Sequence, residues 1–220
     1  HLGRPSCRGD RNAVMRIHIK ICGITDAAGA DAAVEAGVDA VGFVFADSVR
    51  RLTPAQATAI ASNLPDDLDR VAVFLRPSMQ EVTHVLERFD ARLVQADHSA
   101  LATLTSFPKL PVFRESPTVT AEIETYTATT SSRRFLYEGP RSGVGRKVDH
   151  TGARQAAVLG RMTVAGGLDP DNVGEVIRAI RPFGVDVSSG VESRPGVKDP
   201  GRIRAFVEAV RETEEELVTT

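Results

Sequence analysis

Apolar runs alternate with helical stretches along the chain, and eight such runs can be counted. The first, Arg16 to Cys22, precedes a Thr25-Asp26 capping pair and an alanine-rich helix that stops at Gly37. The second, "VDAVGFVF" from Val38 to Phe45, precedes "TPAQATAIASNL", with Thr53 as N-cap and Pro54 at the first helical position. "RVAVFLRP", "ARLVQA", "LPVFRE", "RRFLYEG", "RMTVAGG" and "GVDVSSG" follow as strands three to eight. Helices with apolar residues at helical spacing follow the seventh strand, at Val173, Val176, Ile177 and Ile180, and close the chain, at Ile203, Phe206, Val207 and Val210. The weakest helix signal is "SPTVTAEIETYTATTSS", between strands five and six.

The strands are continuously apolar rather than alternating, as expected when both faces are buried. Eight βα units in about 200 residues predict an α/β protein of the (β/α)8 TIM-barrel class. An open doubly wound sheet is the alternative, but it needs a glycine-rich fingerprint after the first strand, and none stands there. Residues 15–220 are expected to form one barrel domain of this length. Residues 1–14, "HLGRPSCRGDRNAV", are polar and irregular and are expected to be a disordered extension or a leftover of cloning.

Composition narrows the function classes. A net charge of −2 gives no sign of a nucleic-acid or membrane partner. No stretch approaches the roughly 20 apolar residues of a membrane span. Two cysteines, Cys7 and Cys22, are too few for a disulfide framework and lack neighbours at metal-ligand spacing, so no metal is expected. A reducing, cytoplasmic location fits that usage.

In such a barrel the chemistry lies at the C-terminal ends of the strands. Those ends carry Cys22-Gly23, Arg50 and Arg51 after strand two, Gln95 with Asp97 and His98, Arg114, Glu138-Gly139, Gly166-Gly167, and Asp186 with Ser188-Ser189-Gly190. Gly166, Gly167, Ser188, Ser189 and Gly190 leave backbone N–H groups able to face an anion, at the usual phosphate position of this fold; the same glycines can also serve tight turns alone. Cys22 reads either as a small buried core residue or as a general base, its thiol lowered by nearby cations such as Lys20 on the same side of the strand. Glu138 reads either as a general acid raised by burial or as half of an ion pair with Arg133, Arg141 or a neighbour. The two stand across the barrel mouth from each other, which suits proton removal at one atom and addition at another.

"KICGIT", "AGVDAVGFVFADSVRRLTPAQA", "VAGGLDPDNV" and "VDVSSGVESRPGVKD" resemble the phosphoribosylanthranilate isomerases of tryptophan biosynthesis. The resemblance runs from about Met15 to Val210. It implies a cofactor-independent Amadori rearrangement of N-(5-phosphoribosyl)anthranilate, an aldose–ketose isomerisation. It makes Cys22 the base and places the acid at Glu138, where the family has an aspartate. It implies substrate contacts by Arg50, through the anthranilate carboxylate, and by Asp186 and Gln95, with Arg114 a further candidate for lining the site. The family often reads Val-Gln-Leu-His-Gly on strand four, whereas this chain reads "VQADHS", and His98 is left out of the site. His18, His84 and His150 are expected to be structural or exposed. Two other readings remain: a dual-substrate sugar isomerase of histidine and tryptophan biosynthesis, which would want an aspartate at Cys22, and a non-catalytic phosphate-binding barrel. The oligomeric state is open between monomer and homodimer.

Overall fold

The computed structural model describes residues 16–140 and 149–219. The expectations for residues 1–14, Cys7 and Arg141 therefore lie outside the described residues. Eight strands, β1 (His18–Cys22), β2 (Ala40–Val44), β3 (Asp69–Val73), β4 (Leu93–Asp97), β5 (Lys109–Arg114), β6 (Arg134–Glu138), β7 (Arg161–Ala165) and β8 (Gly184–Val187), close into one barrel in chain order. Every neighbouring pair is parallel, and β8 closes onto β1 with Lys20 opposite Asp186. Closure excludes the open doubly wound sheet. The intervening helices are α1 (Ala27–Glu35), α2 (Pro54–Ala61), α3 (Met79–Leu86), α4 (His98–Leu101), α5 (Val119–Thr129), α6 (His150–Ala157), α7 (Val173–Ile180) and α8 (Pro200–Thr219).

Local chemistry starts several of these helices where the sequence indicates. The Asp26 carboxylate accepts from the Gly29 N–H at 2.8 Å. Thr53 with Gln56, and Ser78 with Glu81, form reciprocal capping boxes at α2 and α3. Asp149 caps α6, a helix for which the sequence carried no strong signal. The weak signal after strand five is a full helix, α5, with Val119, Ile123 and Thr127 buried. A short antiparallel hairpin, β9 (Glu192–Arg194) and β10 (Val197–Lys198), lies between β8 and α8 and was not anticipated. A Pro195-Gly196 pair makes its turn, with Gly196 at φ 83°.

The period of two along each strand sorts side chains into two layers. Ile19, Ile21, Val41, Phe43, Phe113, Phe135, Val164 and Val185 face the helices in one large cluster. Cys22, Ala40, Val44, Val71, Val73 and Leu110 form a smaller cluster within the barrel, and Val112, Leu136 and Ala165 another. Lys20 and Asp186 are therefore polar residues inside an apolar barrel, and they pair with each other. Among the described residues no helix is long and apolar enough to cross a membrane.

Candidate active site

A cavity of about 310 Å³ opens at the C-terminal ends of the strands. Its lining includes Cys22, Arg50, Gln95, Glu138, Gly166, Gly167, Asp186, Ser188 and Ser189. Nine of the eleven residues expected at the site are thus brought together from strands and loops distant in sequence. The exceptions are Arg114 and Gly190.

Cys22 ends β1 and sits above a buried pair. Lys20 Nζ donates to Asp186 Oδ1 at 2.9 Å, with both side chains almost fully enclosed. Gly42, on the next strand, makes room for this group: a Cβ there would lie 3.0 Å from the Cys22 Sγ and 3.1 Å from Lys20 Nζ. Burial pushes the Cys22 thiol above its ordinary range, and Asp186 adds to this; Lys20 and Lys198 pull against it without prevailing. The expectation of a thiol lowered by cations is thus reversed: the cations are present, but desolvation outweighs them. Burial likewise raises Asp186, against the pull of Lys20. Burial opposes the charge on Lys20, yet Asp186 and Cys22 more than offset it and hold the ammonium above its ordinary range. All three groups are thus shifted upward from their ordinary ranges, the Lys20–Asp186 ion pair lying beneath the thiol.

Arg50 lines the cavity, but its fork is engaged. Nε donates to Glu192 Oε1 at 2.7 Å and Nη2 to Oε2 at 2.8 Å. Lys198 Nζ donates to the same Glu192 Oε1 at 2.9 Å and to the Ser188 carbonyl at 3.0 Å. Burial raises the Glu192 carboxyl, but hydrogen bonds from Arg50 and Lys198 carry it below its ordinary range. The bidentate carboxylate partner expected from a ligand is therefore supplied by the protein. Glu192 and Lys198 were missed as site residues. Oppositely charged residues six apart, around a Pro-Gly turn, were the available signal. Gly23, at φ 76°, lets the arginine pass: a Cβ there would stand 2.4 Å from the Arg50 Cδ.

Gly166 and Gly167 have φ of 105° and 65°, the region where glycine is favoured. Gly190 serves differently. A Cβ on it would fall 1.9 Å from the Leu168 carbonyl oxygen, so it is the point where the loops after β7 and β8 touch. It holds the wall together and is not among the residues that line the cavity. The loop after β8 continues into a single 3-10 turn, Ser189–Val191.

Arg114 is likewise not among the residues that line the cavity. Its Nη1 donates to Glu138 Oε2 at 2.6 Å, while Nε and Nη2 donate to Asp97 Oδ1 at 3.1 and 2.6 Å. It stands between two carboxylates, those of Asp97 and Glu138. The ion pair considered for Glu138 therefore exists, with the neighbouring strand's arginine. Gln95 lines the cavity and its Oε1 has no partner among the described residues. His98 stacks on Phe113 at 4.3 Å between rings, away from the cavity. His18 lies at the opposite end of the barrel, stacked on Phe183 at 5.6 Å. Among the described residues no cluster of His, Cys, Asp and Glu could hold a metal ion.

Known proteins share this sequence pattern and this barrel. Residues 19–209 match the family model of N-(5'-phosphoribosyl)anthranilate (PRA) isomerase. An N-(5'-phosphoribosyl)anthranilate isomerase of Prosthecochloris aestuarii is 38% identical over 211 residues, covering 89% of this chain and 95% of the relative. The crystal structure of phosphoribosyl anthranilate isomerase from Thermus thermophilus superimposes with a TM-score of 0.78 at 30% identity, covering 89% of this chain and 99% of that one. Another isomerase structure, in complex with reduced 1-(o-carboxyphenylamino)-1-deoxyribulose 5-phosphate, superimposes with a TM-score of 0.75 at 29% identity, covering 90% of this chain and 100% of that one. The chain belongs to the N-(5'-phosphoribosyl)anthranilate isomerase family.

Proposed function

We propose that the chain catalyses the Amadori rearrangement of N-(5-phospho-β-D-ribosyl)anthranilate to 1-(2-carboxyphenylamino)-1-deoxy-D-ribulose 5-phosphate, with Cys22 as general base and Glu138 as general acid. The observation that carries this assignment is the shared cavity: a thiol on β1 and a carboxyl on β6 face one volume of about 310 Å³ from opposite sides. Glu138 protonates the furanose ring oxygen, the C1–O bond breaks, and the nitrogen lone pair forms a Schiff base. The Cys22 thiolate removes the proton from C2, and the electron pair moves to give the enolamine. Tautomerisation to the ketone completes an isomerisation in which no electron leaves the substrate.

The wall between the β7 and β8 loops suits the phosphate. Gly166, Gly167, Ser188 and Ser189 face the cavity there, and the position is the customary one in these barrels. Val44, Val73, Phe74 and Leu75 line the side near β2 and β3 and suit an aromatic ring. Arg50 contributes positive charge from a fixed place on that side rather than an open fork for the anthranilate carboxylate. The unpartnered end of the Gln95 amide and the Asp186 carboxylate are placed to meet sugar hydroxyls or the linking nitrogen.

The test is loss of substrate fluorescence with wild type, Cys22→Ser and Glu138→Gln. Each variant is expected to lose about 10²- to 10⁴-fold in kcat, the usual range for a positioned proton-transfer group. Unchanged turnover in Glu138→Gln would move the acid elsewhere, and unchanged turnover in Cys22→Ser would remove the base. The histidine-pathway aminoaldose is expected to be left unconverted, because a thiol stands where a dual-substrate enzyme would need a second aspartate.

A further inference from the structure

We propose that Arg114, anchored on Asp97, is a positioning residue that sets the orientation of the Glu138 carboxyl; this rests on Glu138 being the acid. Arg114 and Glu138 are directly opposite in the β5–β6 register. Period-two alternation puts both side chains on the inner face of the barrel. The guanidinium is planar and its donors form a rigid set, so fixing one edge fixes the direction of the others. Asp97, at the end of β4, takes the Nε and Nη2 edge through Oδ1, at 3.1 and 2.6 Å. The remaining arm, Nη1, reaches Glu138 Oε2 at 2.6 Å. Asp97 is itself held from the other side, because Arg76 Nε donates to its Oδ2 at 3.2 Å. The chain of contacts thus runs Arg76, Asp97, Arg114, Glu138, across three adjacent strands and the loop after β3.

One carboxyl oxygen of Glu138 is thereby occupied. Among the described residues no hydrogen bond engages Oε1, and Glu138 lines the cavity, so Oε1 is the oxygen left to exchange a proton with substrate. A glutamate has one more rotatable bond than an aspartate. Alone at the end of a strand its carboxyl would sample several positions, and the arginine removes that freedom. Arg114 itself does not line the cavity, so its removal should alter the rate and not the binding of substrate.

Steady-state kinetics of Arg114→Met, Arg114→Lys, Glu138→Gln and the double variant Arg114→Met/Glu138→Gln tests this. Displacing the acid by about 1 Å costs about a hundredfold, so Arg114→Met should lower kcat roughly 10- to 100-fold while KM stays within about twofold. Arg114→Lys keeps a donor and a charge and should recover part of that loss. If the arginine acts through Glu138, adding Arg114→Met to Glu138→Gln costs less than about twofold more, because a group with no proton to deliver gains nothing from being aimed. Melting curves identify any variant that has simply unfolded; should Arg114→Met do so, Arg114→Lys with and without Glu138→Gln carries the same comparison. A full multiplicative loss in the Glu138→Gln background, or a loss confined to KM, overturns the positioning role. Wild-type turnover by Glu138→Gln overturns the acid itself, a separate failure.

Discussion

At the scale of single residues, the site sets a buried thiol beside a buried ammonium. Lys20 is paired with Asp186 at 2.9 Å and also opposes the rise of the Cys22 thiol. Replacing Lys20 by methionine removes that opposition and leaves Asp186 enclosed without its cation. Two results are expected. The thiolate should appear only at higher pH than in wild type, read as an upward move in the midpoint of the pH-dependent iodoacetamide reaction. Stability should fall by about 3–5 kcal/mol, the usual cost of breaking a buried ion pair, read by urea unfolding. A Lys20→Met/Asp186→Leu variant should recover much of the stability and bring the thiol midpoint only part of the way back, because the carboxyl that raised it is gone as well. If the midpoint is unmoved in both variants, Lys20 serves packing alone. Lys20 and Cys22 were legible as neighbours because a strand places residues two apart on one side. The net direction of the thiol shift was not, because it depends on how completely seven other strands enclose the pair.

At the scale of elements, each strand end was legible wherever a polar or glycine residue interrupts an apolar run. Cys22, Gln95, Glu138 and Asp186 were placed in this way, and all four line the cavity. Side-chain partners across strands were not legible. Arg114 ends its strand as the others do, yet its neighbours on β4 and β6 are both carboxylates, and they draw it off the cavity. Arg50 is taken in the same way by Glu192, from a hairpin of only five strand residues that no apolar periodicity announces. Gly190 has a task that no sequence pattern announces, the contact between two loops. Its Cα comes so near the Leu168 carbonyl that any side chain must drive apart the loops after β7 and β8, the wall proposed above for the phosphate. Gly190→Ala is therefore expected to cost about 1–3 kcal/mol of stability, the range for overpacking. It should also weaken competitive inhibition by inorganic phosphate roughly tenfold, with KM for substrate rising in step. Stability lost with phosphate inhibition unchanged would show that the loops can separate without disturbing the anion subsite.

At the scale of the whole molecule, a further charge network lies at the end of the barrel remote from the cavity. At the N-terminal end of the strands Asp39 pairs with Arg16 and Arg211, and Asp69 with Arg92 and Arg134. His18 sits among them, stacked on Phe183, its Nδ1 enclosed without a hydrogen-bond partner among the described residues. Burial first, then Arg134 and Lys20, carry its pKa down to about 4 against the pull of Asp39 and Asp69. In the unfolded chain the imidazole takes up its proton near the ordinary 6.5. Between those values the unfolded state binds more protons than the folded one, so stability falls as pH falls through that interval. The shift of about 2.5 pH units corresponds to about 3 kcal/mol, present in full above pH 6.5 and lost by pH 4. His18→Phe keeps the ring stacked on Phe183 and has no proton to take up. Its unfolding free energy, measured in urea from pH 7.5 to 4, should decline by about 3 kcal/mol less than that of wild type. The carboxylates at this end remain in both proteins, so their share of the acid sensitivity cancels in the difference. Parallel decline of the two curves would mean that the folded barrel admits the histidine proton at no cost. A smaller decline in the variant would locate the acid weakness of the fold at the end of the barrel remote from the chemistry, where turnover at neutral pH is expected to be unchanged by the same substitution.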